Sequence, residues 1–242
     1  MKYLKGTLIT LAGIYLITYW GYAQTGSSQQ KSIISAKIVA LSFEKQKDTL
    51  RIPVVDDKYP ALKAALSYKN IFDGDDLPDV IKNYQSCGCG IISLDYEVTY
   101  ENKDIISIVL YFNTMTAYPD DYQKFLTFNI STGKMYPLSN EINPQGLNWV
   151  FTNYKTLMRK RVFNEKKDDA EYADAYSELK TTLDSLKDDE LFGKYVFIKR
   201  GILLSIEKIL PHAMQDIEPN RDWIIPYDKL KAYKTPGAVV LK

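Results

Sequence analysis

The chain has 242 residues, 31 basic against 30 acidic, and hydrophobic residues make up 45% of it. A balance so close to zero gives no electrostatic case for nucleic acid or for an anionic membrane surface. The length can bury a sizeable core, and 12 Gly with 10 Pro is ordinary globular composition.

The first residues read as an export signal. Lys2 and Lys5 precede an apolar segment from Leu8 to Trp20, and Gly21 and Ala23 place small residues at a cleavage site before Gln24. That segment is short for a permanent anchor, and no Cys follows it to carry a lipid. The expectation is a signal peptide over 1–23, a flexible polar leader over 24–32 and one secreted or periplasmic domain over 33–242 without stable membrane insertion. Its halves, 33–120 and 121–230, are expected to pack together.

Val39, Leu41 and Phe43, a polar turn at Lys45–Asp48, and then Leu50, Ile52 and Val54 form a hairpin pattern. Tyr59-Pro60 opens a helix, with Leu62, Ala65, Leu66 and Lys69 on one face and Asp73-Gly74 at its end. A second short helix is expected over Leu77–Tyr84. After Cys87-Gly-Cys-Gly90 comes the longest strand signal: Leu94, Tyr96, Val98 and Tyr100 alternate with polar residues. Beyond the turn Glu101–Asp104, the residues Ile106, Ile108, Leu110 and Phe112 run back. Antiparallel pairing with one wet face accounts for this alternation. The stretch Thr114–Tyr122 reads as a loop before another strand at Phe125–Ile130.

Asn143-Pro144 is the cap and first residue of the main helix, whose stripe runs through Leu147, Val150, Tyr154, Leu157 and Met158. A second stripe from Tyr172 to Leu186 starts at Asp168-x-x-Glu171, a capping-box pattern. Tyr195–Ile198 and Ile202–Leu210 read as a hairpin around Lys199-Arg200-Gly201, with Gly201 supplying positive φ. On that reading Gly201→Val costs about 1–3 kcal/mol. Trp223-Ile-Ile-Pro226 suits an edge strand, and the tail after Leu230 has little to bury. The fold class is therefore α+β, antiparallel hairpins packed with a helical segment.

Chemistry-bearing residues are sparse. His212 is the only His, so a Ser-His-Asp, Cys-His or zinc site would depend on it, and no catalytic motif surrounds it. Cys87 and Cys89 stand one residue apart, and an even count in an exported chain suggests pairing; a redox role lacks the thioredoxin-like βαβ context. Asp73-Gly-Asp-Asp76 with Asp79 lacks the bidentate Glu of a calcium loop. No catalytic residue, metal or cofactor is assigned. The candidate ligand-contacting residues are Tyr118, Asp120, Asp121 and Tyr122, two amphipathic rings and two acceptors next to a regular hairpin.

The order of elements resembles one extracytoplasmic family. The matching runs are Tyr100–Ser107, Thr127–Lys134 with Leu138, Gly201–Ser205 and Ile225–Leu230, and the resemblance as a whole covers roughly Ile33 to Leu230. The family is the domain of the lysozyme-sensing anti-sigma factor RsiV, found also beside the catalytic module of PdaC-type peptidoglycan deacetylases. The resemblance implies an α+β fold and a non-catalytic binding or sensing role outside the cytoplasm, with lysozyme or a peptidoglycan-related ligand as partner. Two departures stand out. Ala117-Tyr118-Pro119 occupies the place of the family's Ala-His-Pro, and no Gly follows Pro211-His212 before Pro219. The competing readings are an envelope polysaccharide hydrolase using acidic residues and a structural domain of an envelope assembly.

Overall fold

A computed structural model describes residues 32–165, 173–211, 214–215 and 218–242. The expected signal segment, its cleavage site and nearly all of the leader lie outside the described residues. So do Asp168, Glu171, Tyr172 and His212. Among the described residues no helix is long and apolar enough to cross a membrane.

Two sheets organise the α+β fold. The first contains β1 (Ile34–Phe43), β2 (Gln46–Val55), β3 (Gly90–Glu101), β4 (Ile105–Met115) and β5 (Pro119–Asn129), in that spatial order. The hairpins β1–β2 and β3–β4–β5 are antiparallel, and they are joined by one parallel contact, Leu50 beside Leu94. The sheet is therefore mixed. Between the hairpins lie α1 (Pro60–Ala65), α2 (Tyr68–Ile71) and α3 (Leu77–Cys87). The single helix expected from Pro60 to Asp73 is thus broken at Leu66-Ser67. Asn70 gives the physical reason: its side-chain amide donates to the carbonyls of Ala64 and Ala65 at 3.1 Å, which closes the first helix. Leu62, Ile71, Val80 and Tyr84 bury against Leu50, Leu94, Ile108 and Phe112 on one face of the sheet.

The rest of the chain builds the second layer. It comprises α4 (Pro144–Glu165), α5 (Ala173–Ser185), α6 (Asp188–Phe192), the strands β6 (Tyr195–Ile198), β7 (Gly201–Leu204) and β8 (Trp223–Pro226), and α7 (Tyr227–Leu230). Asn143 caps α4 as its position suggests, accepting the Gly146 N–H at 2.9 Å. Val150, Tyr154 and Met158 of α4 meet Leu179 and Leu183 of α5 and the inner faces of β6 and β7. Ser32–Lys242 forms one compact unit.

Two expectations about the strands are corrected. β4 is buried from Ile105 to Leu110 on both faces, because β6 lies across the face expected to be wet. Gly201 has no positive φ; the turn is Lys199-Arg200, and Gly201 is the first residue of β7, opposite Ile198 and Pro226. What requires glycine there is closeness: a Cβ would lie 2.1 Å from the Ile225 carbonyl oxygen.

Hydroxyls join the layers. β6 pairs with β7 on one side only, so its other row of backbone groups is buried and needs partners. Ser107 accepts the Phe197 N–H at 3.1 Å, while Thr99 donates to the Phe197 carbonyl at 2.7 Å. Thr127 donates to the Tyr195 carbonyl at 3.3 Å and lies 2.9 Å from Ser107. Ser107→Ala removes an acceptor of that amide and is expected to cost about 1–3 kcal/mol, read as a lower denaturant midpoint with unchanged slope. An unchanged midpoint would show that the layers do not depend on this contact.

The tail is not idle. Leu241 is buried, and the N–H groups of Val239, Val240 and Leu241 donate to the carboxylate of Glu141 at 2.8 to 3.1 Å. The expectation that residues after Leu230 bury little missed this anchor, because its partner lies about a hundred positions away along the chain.

Candidate functional site

The segment Thr114–Tyr122, expected as a loop, is mostly strand. The β4–β5 ladder continues to Met115 opposite Pro119, and the turn is only Thr116–Tyr118. Pro119 begins its strand, a position that tolerates the missing N–H. Strand alternation then places Asp121 and Gln123 on one face and Tyr122 on the other.

Opposite that face lie the described residues of the return from Ser205 to Asp222, with a 3-10 turn at 214–215. A connection of this length between two strands needs its own supports. Glu218 supplies one, accepting the N–H groups of Ile209 and Leu210 at 3.0 to 3.1 Å and pairing with Arg221 at 3.3 Å. Helix α4 supplies another: the Tyr154 hydroxyl donates to the Arg221 carbonyl at 2.7 Å, and Arg161 donates to the carbonyls of Asn220 and Asp222. Burial drives the Tyr154 phenol well above its ordinary range, so it stays a donor.

Lys208 bridges the two walls. Its ammonium lies 2.8 Å from Asp120 and 2.9 Å from Asp121. Burial alone would lower its pKa, but hydrogen bonds to the two carboxylates hold it above the ordinary 10.5. While the two carboxylates are ionised, a raised lysine value means that the clamp's contribution is fully present below 10.5 and is lost as pH rises past the elevated value. Between the walls is a cleft of about 700 Å³, with Asp120, Asp121 and Gln123 on the β5 side and Gln215, Asn220 and Asp222 on the other. Beside the cleft is the β3–β4 face next to β6. There Tyr111 donates to Glu97 at 3.3 Å, and burial together with nearby Glu97 and Asp222 raises the phenol.

The four sequence candidates are divided by this geometry. Asp120 and Asp121 line the cleft and carry the clamp. Tyr122 borders it, but its ring lies flat on Phe112, with centroids 4.6 Å apart. Burial and Asp73 push its hydroxyl up to about 12. Tyr118 sits at the exposed turn and is not part of the cleft lining. Cys87 and Cys89 form a disulfide at the junction of α3 and β3, with Cα atoms 5.1 Å apart and Gly88 left-handed between them; neither lines the cleft. Asp73 is engaged with Lys124 at 2.6 Å and Asp76 with Lys69 at 3.5 Å. Among the described residues no group of three or more His, Cys, Asp or Glu side chains is placed to hold a metal ion. Sequence reasoning missed Lys208, Gln215, Glu218, Asn220 and Asp222. The available signal was the length of the polar connection after the penultimate strand.

Comparison with solved structures bears on this architecture. A DUF3298 family protein from Pseudomonas aeruginosa PAO1 superposes with a TM-score of 0.51, covering 84% of this chain and 94% of that one at 14% identity. In fold, the chain resembles a DUF3298 protein. A DUF3298 family member from Bacteroides fragilis NCTC 9343 gives a TM-score of 0.49 at 14% identity, covering 84% of this chain and 93% of that one. No family model matches the sequence, and no curated protein matches it.

Proposed function

We propose that the chain is an exported, non-catalytic binding domain that takes a cell-wall component, or a wall-acting enzyme such as lysozyme, in the cleft between β5 and the Ser205–Asp222 return. The observation that carries this reading is the cleft itself, a concave polar site of ligand size whose walls are fixed by Lys208, Glu218 and α4. Its acids are largely engaged in structural pairing: Asp120 and Asp121 with Lys208, Glu207 with Lys194, and Glu218 with backbone amides and Arg221. Groups held in this way present fixed acceptors and amides to a ligand. Tyr118 adds an exposed aromatic contact two residues from Asp120. The N-terminal signal pattern and the resemblance to the RsiV-type domain support the extracytoplasmic setting.

Carboxylates stand on both walls, the general arrangement a polysaccharide hydrolase uses, so one experiment addresses both readings. The chain is incubated with purified peptidoglycan and, separately, with immobilised lysozyme. Retention on either without release of soluble sugar fragments is the expected result. Release of fragments would replace the binding reading with the hydrolase, and retention on neither would remove the proposed ligands. Replacing Tyr118 and Asp222 together by Ala is expected to weaken the retained interaction by about 2 kcal/mol, with little loss of fold.

A further inference from the structure

We propose that the free edge of β1 is a self-association surface, which joins two copies of the chain through antiparallel β1–β1 pairing about a two-fold axis at Ile38. β1 is the outermost strand of the five-stranded sheet, and all ten of its residues pair with β2 without a bulge. Half of its N–H and C=O groups therefore face away from the sheet. Among the described residues, no backbone hydrogen bond ties β1 to any element other than β2. Edge strands are ordinarily protected by proline, bulges or several charges. β1 contains no Pro, and its single charged residue, Lys37, is turned to the Tyr68 hydroxyl at 2.9 Å.

The pattern of side chains selects the occupant. Ala36, Ile38 and Ala40 alternate along the strand and are all exposed, Ile38 at 61%. This apolar set is symmetric about Ile38, as an isologous two-fold contact requires. Antiparallel pairing centred there sets Ile38 against Ile38 of the second copy and each Ala36 against an Ala40. Lys37 meets Val39 rather than a second Lys37, so like charges do not face one another. An unrelated extended peptide could use the same backbone groups, but it would have no use for that symmetry.

The register gives a direct test on the full chain with Cys87–Cys89 left paired. Directly opposed residues in such a ladder have Cα atoms roughly 4.5–5.5 Å apart, within disulfide range. Ile38→Cys is expected to give a disulfide-linked dimer under mild oxidation. Ser42→Cys, also exposed on the same strand, is not, because its two copies would be about 27 Å apart. In sedimentation, the wild-type chain is expected to pass from monomer to dimer with rising concentration. Ile38→Lys, which opposes two charges at the axis, is expected to weaken dimerisation at least about tenfold. At concentrations where the wild-type chain is monomeric, the exposure of Ile38 predicts an unchanged unfolding midpoint for that variant. A chain monomeric at every concentration, a dimer indifferent to Ile38→Lys, or equal cross-linking at positions 38 and 42 would each overturn the proposal.

Discussion

Glu141→Ala is expected to destabilise the domain by about 4 kcal/mol. The side chain is fully buried at the start of the second layer, just before α4, and its two oxygens gather the amides of Val239, Val240 and Leu241. The buried Tyr136 hydroxyl donates to the same carboxylate at 2.8 Å, and burial followed by that carboxylate raises the phenol far above its ordinary range. Hydrogen bonds to a charged acceptor contribute roughly 1.5–3 kcal/mol each, though not additively. Releasing the tail would also expose Leu241, a further loss of about 1.5–3 kcal/mol. Those two contributions overlap, since the tail is either docked or not. Glu141→Gln keeps one carbonyl oxygen but turns an amide donor toward donors, so about half the loss is expected. Deleting residues 239–242 should cost a similar amount and add little on top of Glu141→Ala, because both remove one coupled unit. Denaturant titration of Glu141→Ala, the deletion and their combination checks this; full additivity would contradict the coupling.

Gly201→Ala is expected to cost about 3 kcal/mol, almost as much as Gly201→Val. A positive-φ glycine would behave differently, with a modest loss for Ala and a larger one for the β-branched residue. At Gly201 the backbone of β8 is the obstacle: the first carbon added would stand 2.1 Å from the Ile225 oxygen and 2.8 Å from its carbonyl carbon. No rotamer moves a Cβ, so β8 must retreat from β7, loosening Ile225 from the core and the Tyr227 hydroxyl from the Ile198 carbonyl, now 2.7 Å away. Thermal melts of both variants decide between the causes, a wide gap between Ala and Val favouring strain over contact.

These two positions show where the chain is legible and where it is not. Alternation in Leu94–Tyr100 and Ile106–Phe112 places β3 and β4, since a strand's period of two is written in adjacent residues. The cap Asn143-Pro144 places α4 for the same local reason. The packing of β6 across the β3–β5 face has no local signature. Only Ser107 and Thr127, polar residues in runs otherwise dominated by apolar ones, hint that a second backbone arrives there. Asp120 and Asp121 could be nominated from their place beside the hairpin. Their partner Lys208 could not, because a clamp between residues 87 or 88 positions apart leaves no trace in spacing. Tyr122 looked like a free ring in the sequence, and it is the pairing of β4 with β5 that spends it on Phe112.

The central claim is that the cleft receives the ligand, and hydrogen–deuterium exchange of the full chain tests it most directly. Exchange is followed with and without solubilised peptidoglycan fragments, and with and without lysozyme. The account predicts slowed exchange in the presence of one of them across Tyr118–Gln123 and across Ser205–Asp222, with β1 and α3 unchanged. Protection confined to other surfaces while these two segments exchange as before would contradict it.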